Sequence, residues 1–435
     1  MNKFETNDAT CGWIKSLSPR LAKPAFKGHR RTKWLIIGAG YSGLSAALTL
    51  AENNPNDHIL LVDANKAGEG ASSRNSGYLV DSTLNDGHLS DTGLMAYRKK
   101  YELNQQAVLC VKSLIEKYNI SCEWNECGKF YATANPEYKD KLIKFHKLLD
   151  DLKIENSLVE QQALSERLGT GFYQLAVKTQ GGAMIQPAKL ARGMLEILPD
   201  NVELYENSAV LSIVKGQPHK VQFSDGEILA DKVIVAVNGF MPSMGIKKNR
   251  VFPLLLSASL TRPLSIEEQQ KMNHAQEWAV LSANAMGATI RTTHDKRIMI
   301  RNTVEVVSKL YFTAAELAQR QKTHLKGLRK RFKFLPDDIF ESTWSGVTCI
   351  SANNANIFEE IDQNLWAIGC YNGGGIGLSV MFGQQIAHLA MDQPASLTKK
   401  ITQRPQAKWL PPQPFLSLGI KAKLAKDKLG ATLDN

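Results

Sequence analysis

The chain has 435 residues, of which 43% are hydrophobic and 22% charged, and its 53 Lys+Arg against 42 Asp+Glu give a net charge of +11. That balance excludes a disordered, collagen-like or coiled-coil chain, and no apolar run is long enough for a transmembrane helix. The basic surplus suits an anionic small molecule or an acidic protein partner. Its local clusters, Lys27–Lys33, Lys326–Lys333 and Lys421–Lys428, come with no nucleic-acid-binding signature and read as solvated surface. The cysteines, Cys11, Cys110, Cys122, Cys127, Cys349 and Cys370, form neither a disulfide framework nor a zinc-spaced set. With no signal-peptide pattern at Met1–Asn7, the expected compartment is the cytoplasm.

Residues 1–33 read as an extended lead-in. Trp34–Ile37 has the unbroken apolar pattern of a buried parallel strand, Gly43–Glu52 that of a helix, and His58–Val62 that of a second buried strand. Together they make a βαβ unit. Gly68–Asn85 is rich in Gly, Ser and Asn and reads as loop. Helices are predicted over Met95–Tyr118, Pro136–Leu152, Gln161–Leu168 and behind Pro187, a residue suited to open one. Strands are predicted at Glu123–Ala132, Val202–Leu204, Ala209–Val214, Lys220–Phe223 and Lys232–Val237, with Asp225-Gly226 as a hairpin turn. Val251–Thr261, Trp278–Ser282, Ala288–Thr292 and Arg297–Arg301 suggest a second, mainly antiparallel sheet. An amphipathic helix at Ala314–Arg331, a buried strand at Leu365–Gly369 and a helix at Phe382–Met391 follow. The Pro- and Lys-rich tail from Thr398 reads as a surface wrap.

The sharpest local signal is Gly38-Ala39-Gly40-Tyr41-Ser42-Gly43, set between strand and helix, with Asp63 20 residues beyond Gly43. This is the dinucleotide fingerprint. Gly38 allows the tight turn, Gly40 lets backbone approach a pyrophosphate, and Gly43 lets helix and strand close up. The helix N-terminus attracts phosphate, and Asp63, followed by Ala64, would accept hydrogen bonds from a ribose. The second glycine-rich loop, Gly68–Gly77, favours FAD over a lone nicotinamide, because a flavin needs cover beyond its pyrophosphate. No second fingerprint offers an additional nicotinamide site. Cys122 and Cys127 lie too far past Asp63 for a disulfide-reductase pair and read as ordinary cysteines.

Leu35–Asp63 and Gly70-Ala71-Ser72-Ser73-Arg74-Asn75-Ser76-Gly77 resemble the FAD-dependent D-amino acid oxidase superfamily, the second segment being similar to the loop of its γ-glutamylputrescine oxidase-like branch. Gly181–Leu190, Val233–Gly239, Trp344-Ser345-Gly346 and Gly369–Gly377 continue the resemblance over most of the chain. The fold it implies is α/β (α+β overall): a Rossmann-type FAD-binding domain interleaved with a substrate domain of mainly antiparallel sheet plus helices. The division expected is 1–33 lead-in, 34–95, 175–245 and 340–397 FAD domain, 96–174 and 246–339 substrate domain, and 398–435 tail. Gly374-Gly375 stands where the family often carries a histidine, and Ser351–Asn356 replaces a frequent Asp-x-x-Pro stretch.

The resemblance implies that Gly38, Gly40, Tyr41, Ser42, Gly43, Asp63 and Ala64 hold ADP, and that Ser72, Ser73, Arg74, Asn75 and Gly77 line pyrophosphate and flavin. It places Val210, Asn238 and Gly239 beside the nucleotide, and Asn372, Gly373, Gly374, Gly375 and Ile376 along the flavin's pyrimidine edge. Tyr78 and Tyr371 would flank the ring. Arg291 or Arg301, on the roofing sheet, would grip a substrate carboxylate with two parallel hydrogen bonds. The implied activity is oxidation of a C–N bond in an amine or amino acid, with hydrogen peroxide as second product. The alternatives are a dehydrogenase using another acceptor and a flavoprotein that modifies a partner protein.

Overall fold

The computed structural model describes residues 9–84, 93–307 and 309–435. The stretch 85–92 of the expected FAD domain and the first eight residues of the lead-in lie outside them.

Two eight-stranded sheets carry the fold. In the first, Leu365–Gly369, Gly226–Val235, Gly28–Ile37, Ile59–Val62 and Val202–Tyr205 run parallel side by side. Ile357–Asp362 closes one edge antiparallel, and the Ser212–Val214 and His219–Phe223 strands hang from Gly226–Val235. The inner parts of the central strands, Trp34–Ile37, Ile59–Val62 and Val233–Val235, read as unbroken apolar runs because helices cover them. Tyr41–Asn53 and Gly375–Ala390 pack there, both almost wholly buried along their first turns. The second sheet runs in the order 340–351, 251–261, 298–305, 289–292, 279–282, 129–133, 175–179, 156–160. It is antiparallel except where Ala279–Ser282 meets Lys129–Thr133. Ala314–Arg331 backs it, opened by a capping box between Thr313 and Glu316 and closed by Arg329, Lys330 and Arg331, as the helix dipole favours.

Several sequence expectations change. The lead-in is not simply extended: Gly12–Lys15 forms a helical turn that buries Cys11 and Trp13, and the first strand starts at Gly28. Residues 123–128 precede the strand at Lys129–Thr133 rather than joining it, and the strand expected from Ala209 begins at Ser212. The hairpin turns at Ser224-Asp225, one residue earlier than expected, because Phe223 pairs with Gly226. Gly226 is needed for a different reason: a Cβ there would sit 2.0 Å from the Gly28 carbonyl on the neighbouring parallel strand. The helix expected at Phe382 starts at Gly375, directly behind the glycine run. Strands Leu175–Thr179 and Phe340–Ser351, assigned by sequence to the FAD domain, pair within the second sheet. A strand's apolar pattern reports its burial, not its partner.

The tail departs most from expectation. It contains helices Ser396–Thr402 and Phe415–Gly430 and ends with Asp434 buried in the second sheet. The Asp434 carboxylate accepts from Thr133 Oγ1, the Ala134 N–H at 2.7 Å and Ser282 Oγ at 3.1 Å, while Arg331 donates to its main-chain carbonyl.

Candidate active site

A cavity of about 1250 Å³ runs from the fingerprint turn, between the two sheets, to the helix Phe415–Gly430. The βαβ unit builds one end. Gly38 has φ +100°, and a Cβ on Gly43 would lie 1.7 Å from the Gly38 carbonyl oxygen, so helix and turn meet only because both are glycine. Gly40 caps the helix with no side-chain acceptor. Asp63 accepts the Ala39 and Asn65 N–H groups, each at 2.8 Å. Burial raises its carboxyl pKa to about 6 against the pull of those two donors, with a further push from Glu206.

Glu206 was not foreseen. Wholly buried, it takes two hydrogen bonds from Arg20 and the N–H groups of Lys23 and Ala67, the latter two at 2.5 Å. It ties the lead-in to the turn behind Asp63. No motif surrounds it in sequence; its role depends on three segments far apart in the chain.

The Gly70–Gly77 loop is fixed from all sides. Ser72 Oγ accepts the Tyr41 N–H at 2.9 Å. Arg74 donates to the carbonyls of Glu69 and Ser345 at 3.0 and 3.1 Å, and Trp344 Nε1 donates back to the Arg74 carbonyl. Asn75 accepts the Gly77 N–H at 2.8 Å, and Trp13 Nε1 donates to its carbonyl at 2.9 Å. The loop thus enters the cavity as a preformed wall, with Ser72, Arg74 and Asn75 in the lining. Ser73 and Gly77 stand behind it: Ser73 Oγ donates to the Gly68 carbonyl, and Gly77, at φ +75°, fits under Ile185. Gly43 likewise serves packing and does not face the cavity.

On the far side, Tyr371, Asn372, Gly373, Gly374, Gly375 and Ile376 line the cavity where the last helix of the first sheet begins. The Tyr371 and Ser42 hydroxyls are 2.6 Å apart, and Tyr371 stands edge-on to Phe382, so this ring locks the two helix starts together. Burial pushes its pKa upward. Asn372 spends its side chain on the Ser351 N–H and the carbonyls of Ala355 and Cys370. Ala64 and Val210 complete the lining on the Asp63 side, and Asn238 and Gly239 complete it beside Cys370 and Val347. Cys349 is fully buried beside Cys370, outside the lining, and that neighbour together with burial pushes its thiol pKa up.

The two arginines part company. Both stand on one face of the second sheet, since Arg291 pairs with Met299 and Arg301 with Thr289 in the same ladder. Arg291, two residues farther along its strand, is 1% exposed and lies over the Trp13 ring. It donates to the carbonyls of Ile185 at 2.7 Å, Ser76 at 3.2 Å and Gly77 at 3.4 Å. Outside the cavity lining and committed to backbone, it is not placed to grip a substrate.

Arg301 lines the cavity, and among the described residues its hydrogen-bond partner is the Thr289 hydroxyl. It joins no ion pair among the described residues. Burial draws its pKa down to about 10, with Tyr78 opposing. Tyr78 lines the cavity nearby and donates to the Ile290 carbonyl at 2.7 Å, so its hydroxyl bridges loop and roof. Sequence reasoning also missed Tyr131, Ser282 and Asn284 around Arg301's end of the cavity, and Leu416, Ile420 and Leu424 from the tail helix. Nothing local marks these; each arrives by long-range packing.

The residues present suit FAD. The turn admits backbone only, an acidic acceptor stands at the ribose position, the second loop is preformed, and the cavity accommodates more than a dinucleotide's ADP half. Comparisons with known proteins agree. The protein is similar to gamma-glutamylputrescine oxidoreductase of Escherichia coli strain K12, at 26% identity over 81% of this chain and 82% of that protein. It is also similar to the probable oxidoreductase OrdL of Haemophilus influenzae, at 24% identity over 81% of each. Its fold matches glycine oxidase from Geobacillus kaustophilus with a TM-score of 0.70 at 17% identity, covering 84% of this chain and 96% of that one. L-amino acid deaminase from Proteus vulgaris matches with a TM-score of 0.68 at 15% identity, covering 87% and 99%. The profile of the family described as FAD dependent oxidoreductase matches residues 33–389, and the chain belongs to that family.

Proposed function

We propose that the enzyme oxidises the C–N bond of an amine that carries a carboxylate, an amino acid or N-substituted amino acid, and that dioxygen is reduced to hydrogen peroxide. The observation that carries this is Arg301, a half-buried cation with no acidic partner among the described residues, opening into the cavity that the flavin loop also lines. A substrate carboxylate is the counter-ion that geometry lacks. The names of the relatives fit: one acts on a glutamylated amine, others on glycine or L-amino acids.

When bound, FAD supplies the two-electron acceptor for the C–H bond next to nitrogen. The protein's part is placement. In this reading Gly38, Gly40, Tyr41, Ser42, Asp63, Ala64 and Val210 hold the ADP half. Ser72, Arg74, Asn75, Asn238, Gly239 and residues 372–376 hold the rest. The free N-terminus of the helix at Gly375 favours negative charge beside it. Tyr78 and Tyr371 wall the reacting centre, and Arg301 fixes the substrate's orientation. No acid–base pair is required if the amine binds neutral.

The test is spectroscopic. The purified yellow protein is mixed anaerobically with carboxylate-bearing amines and with the same amines lacking the carboxylate. Bleaching by the first group alone, and peroxide formation in air, are the expected results. A protein bleached equally by both groups refutes the carboxylate reading. Bleaching with an added dye as acceptor but no peroxide in air refutes the oxidase reading.

A further inference from the structure

The helix Phe415–Gly430 has two distinct faces. Leu416, Ile420, Leu424 and its one acid, Asp427, turn inward and line the cavity. The opposite face carries Leu418, Ala422, Ala425 and Leu429, all exposed, at alternating spacings of four and three residues, and Phe415, also exposed, continues the line at the cavity rim. That spacing makes one continuous stripe along a helix. Leu418 is 61% and Leu429 79% exposed, and Trp409, 58% exposed, stands just ahead of the helix. A contiguous exposed apolar strip is not ordinary surface.

Lysines border the stripe on both sides, Lys421 and Lys428 on one, Lys426 and, at the cavity rim, Lys423 on the other. None of the four is in an ion pair among the described residues. Many lysines elsewhere are paired, among them Lys112, Lys117, Lys189, Lys215, Lys220 and Lys247. From Lys399 to Gly430 the chain holds eight basic residues against one acid. This is more than the solvated cluster expected from sequence.

We propose that this helix docks on an anionic lipid bilayer surface, with its apolar stripe in the interface and its lysines against lipid phosphates. A helix with leucine and phenylalanine on one strip and lysines flanking it lies in the plane of such a surface. The lysine stems extend along the apolar boundary while the ammonium groups reach the headgroups, and aromatic residues such as Trp409 and Phe415 favour that boundary. A second copy of the chain fits less well, because facing helices would oppose four unpaired lysines with four more. Docked this way, the cavity wall formed by Leu416, Ile420 and Leu424 stands about one helix diameter, ~10 Å, from the lipid.

The test uses the FAD-loaded full chain in sedimentation with vesicles of phosphatidylcholine alone, or of equal phosphatidylcholine and phosphatidylglycerol. The expected result is at least about tenfold more protein on the anionic vesicles, weakened by high salt. Leu418→Glu with Leu429→Glu, and separately Lys421→Glu with Lys426→Glu and Lys428→Glu, should each cut that binding about tenfold or more. Flavin absorbance and thermal midpoint should stay unchanged, since these side chains are exposed. No preference for anionic vesicles, or unaltered binding by both variants, overturns the proposal. So does self-association in the ultracentrifuge that Leu418→Glu with Leu429→Glu abolishes while vesicle binding is absent, which would assign the face to a second copy. An acidic protein that binds the stripe while vesicles do not overturns it as well. None of these readouts depends on which amine is oxidised.

Discussion

Replacing Arg301 by methionine removes the charge and keeps most of the volume. Among the described residues the guanidinium meets no carboxylate and bonds only the Thr289 hydroxyl. Its own contribution to folding is therefore small or negative, because a half-buried cation held this way loses solvation. The variant should melt no lower than the parent and keep its full complement of FAD. With substrate present the balance reverses. Once substrate covers the guanidinium, removing one partner of a hydrogen-bonded charge pair costs about 3–5 kcal/mol, which at about 1.4 kcal/mol per tenfold predicts a fall of about 10² to 4×10³ in kcat/KM. Arg301→Lys should fall between, since it keeps the charge and loses the fork. The assay is steady-state turnover and anaerobic bleaching on a carboxylate substrate and its decarboxylated analogue, for parent and variant. The loss should be confined to the acid. A fall of less than about tenfold on the acid, or an equal fall on both compounds, would refute the reasoning.

Gly43→Ala would set a methyl 1.7 Å from the Gly38 carbonyl, so the fingerprint turn must open and the purified protein should be largely colourless. A variant retaining its flavin spectrum would contradict the close approach. His324 is wholly buried between Ser257 and Ser259, and burial, with Arg301 and Arg320 nearby, lowers its pKa to about 3. The folded protein holds it neutral while the unfolded chain binds a proton below its ordinary value of 6.5. Stability is therefore complete above pH ~6.5 and lost as pH falls, by up to about 1.4 kcal/mol per unit. His324→Gln should show a shallower decline in urea midpoint between pH 6 and 4; identical slopes would remove His324 from the account. Asp434→Ala leaves the Ala134 N–H and the hydroxyls of Thr133 and Ser282 without their shared acceptor. A loss of about 2–4 kcal/mol in urea titration is expected, together with faster protease cleavage before Phe415. Unchanged cleavage would show that the tail helix is held without this anchor.

What could be read from sequence divides by the range of the interaction that fixes each feature. The fingerprint turn, its strand and helix, and Asp63 sit within 30 residues, Trp34 to Asp63, and steric need alone selects glycine in the turn. The helix over Ala314–Arg331 was legible for the same reason: its capping box and basic end are local. Arg291 and Arg301 were equally eligible because they share a face of one sheet; the difference is what lies above each. Over Arg291 it is the Ile185 carbonyl and Trp13, from segments more than 100 residues away, and over Arg301 it is open cavity. Glu206 escaped notice because an acid after a strand looks solvated until Arg20, Lys23 and Ala67 converge on it. The tail is the sharpest case. Its prolines and lysines read as a surface strap, yet alternate faces of one helix wall the cavity and face outward. A helix with two apolar stripes reads in sequence as weakly amphipathic, since each stripe masks the other, and the stripe turned inward is the one that meets Phe252, Leu254, Leu256, Val304 and Ile350 of the second sheet, residues more than 60 positions away.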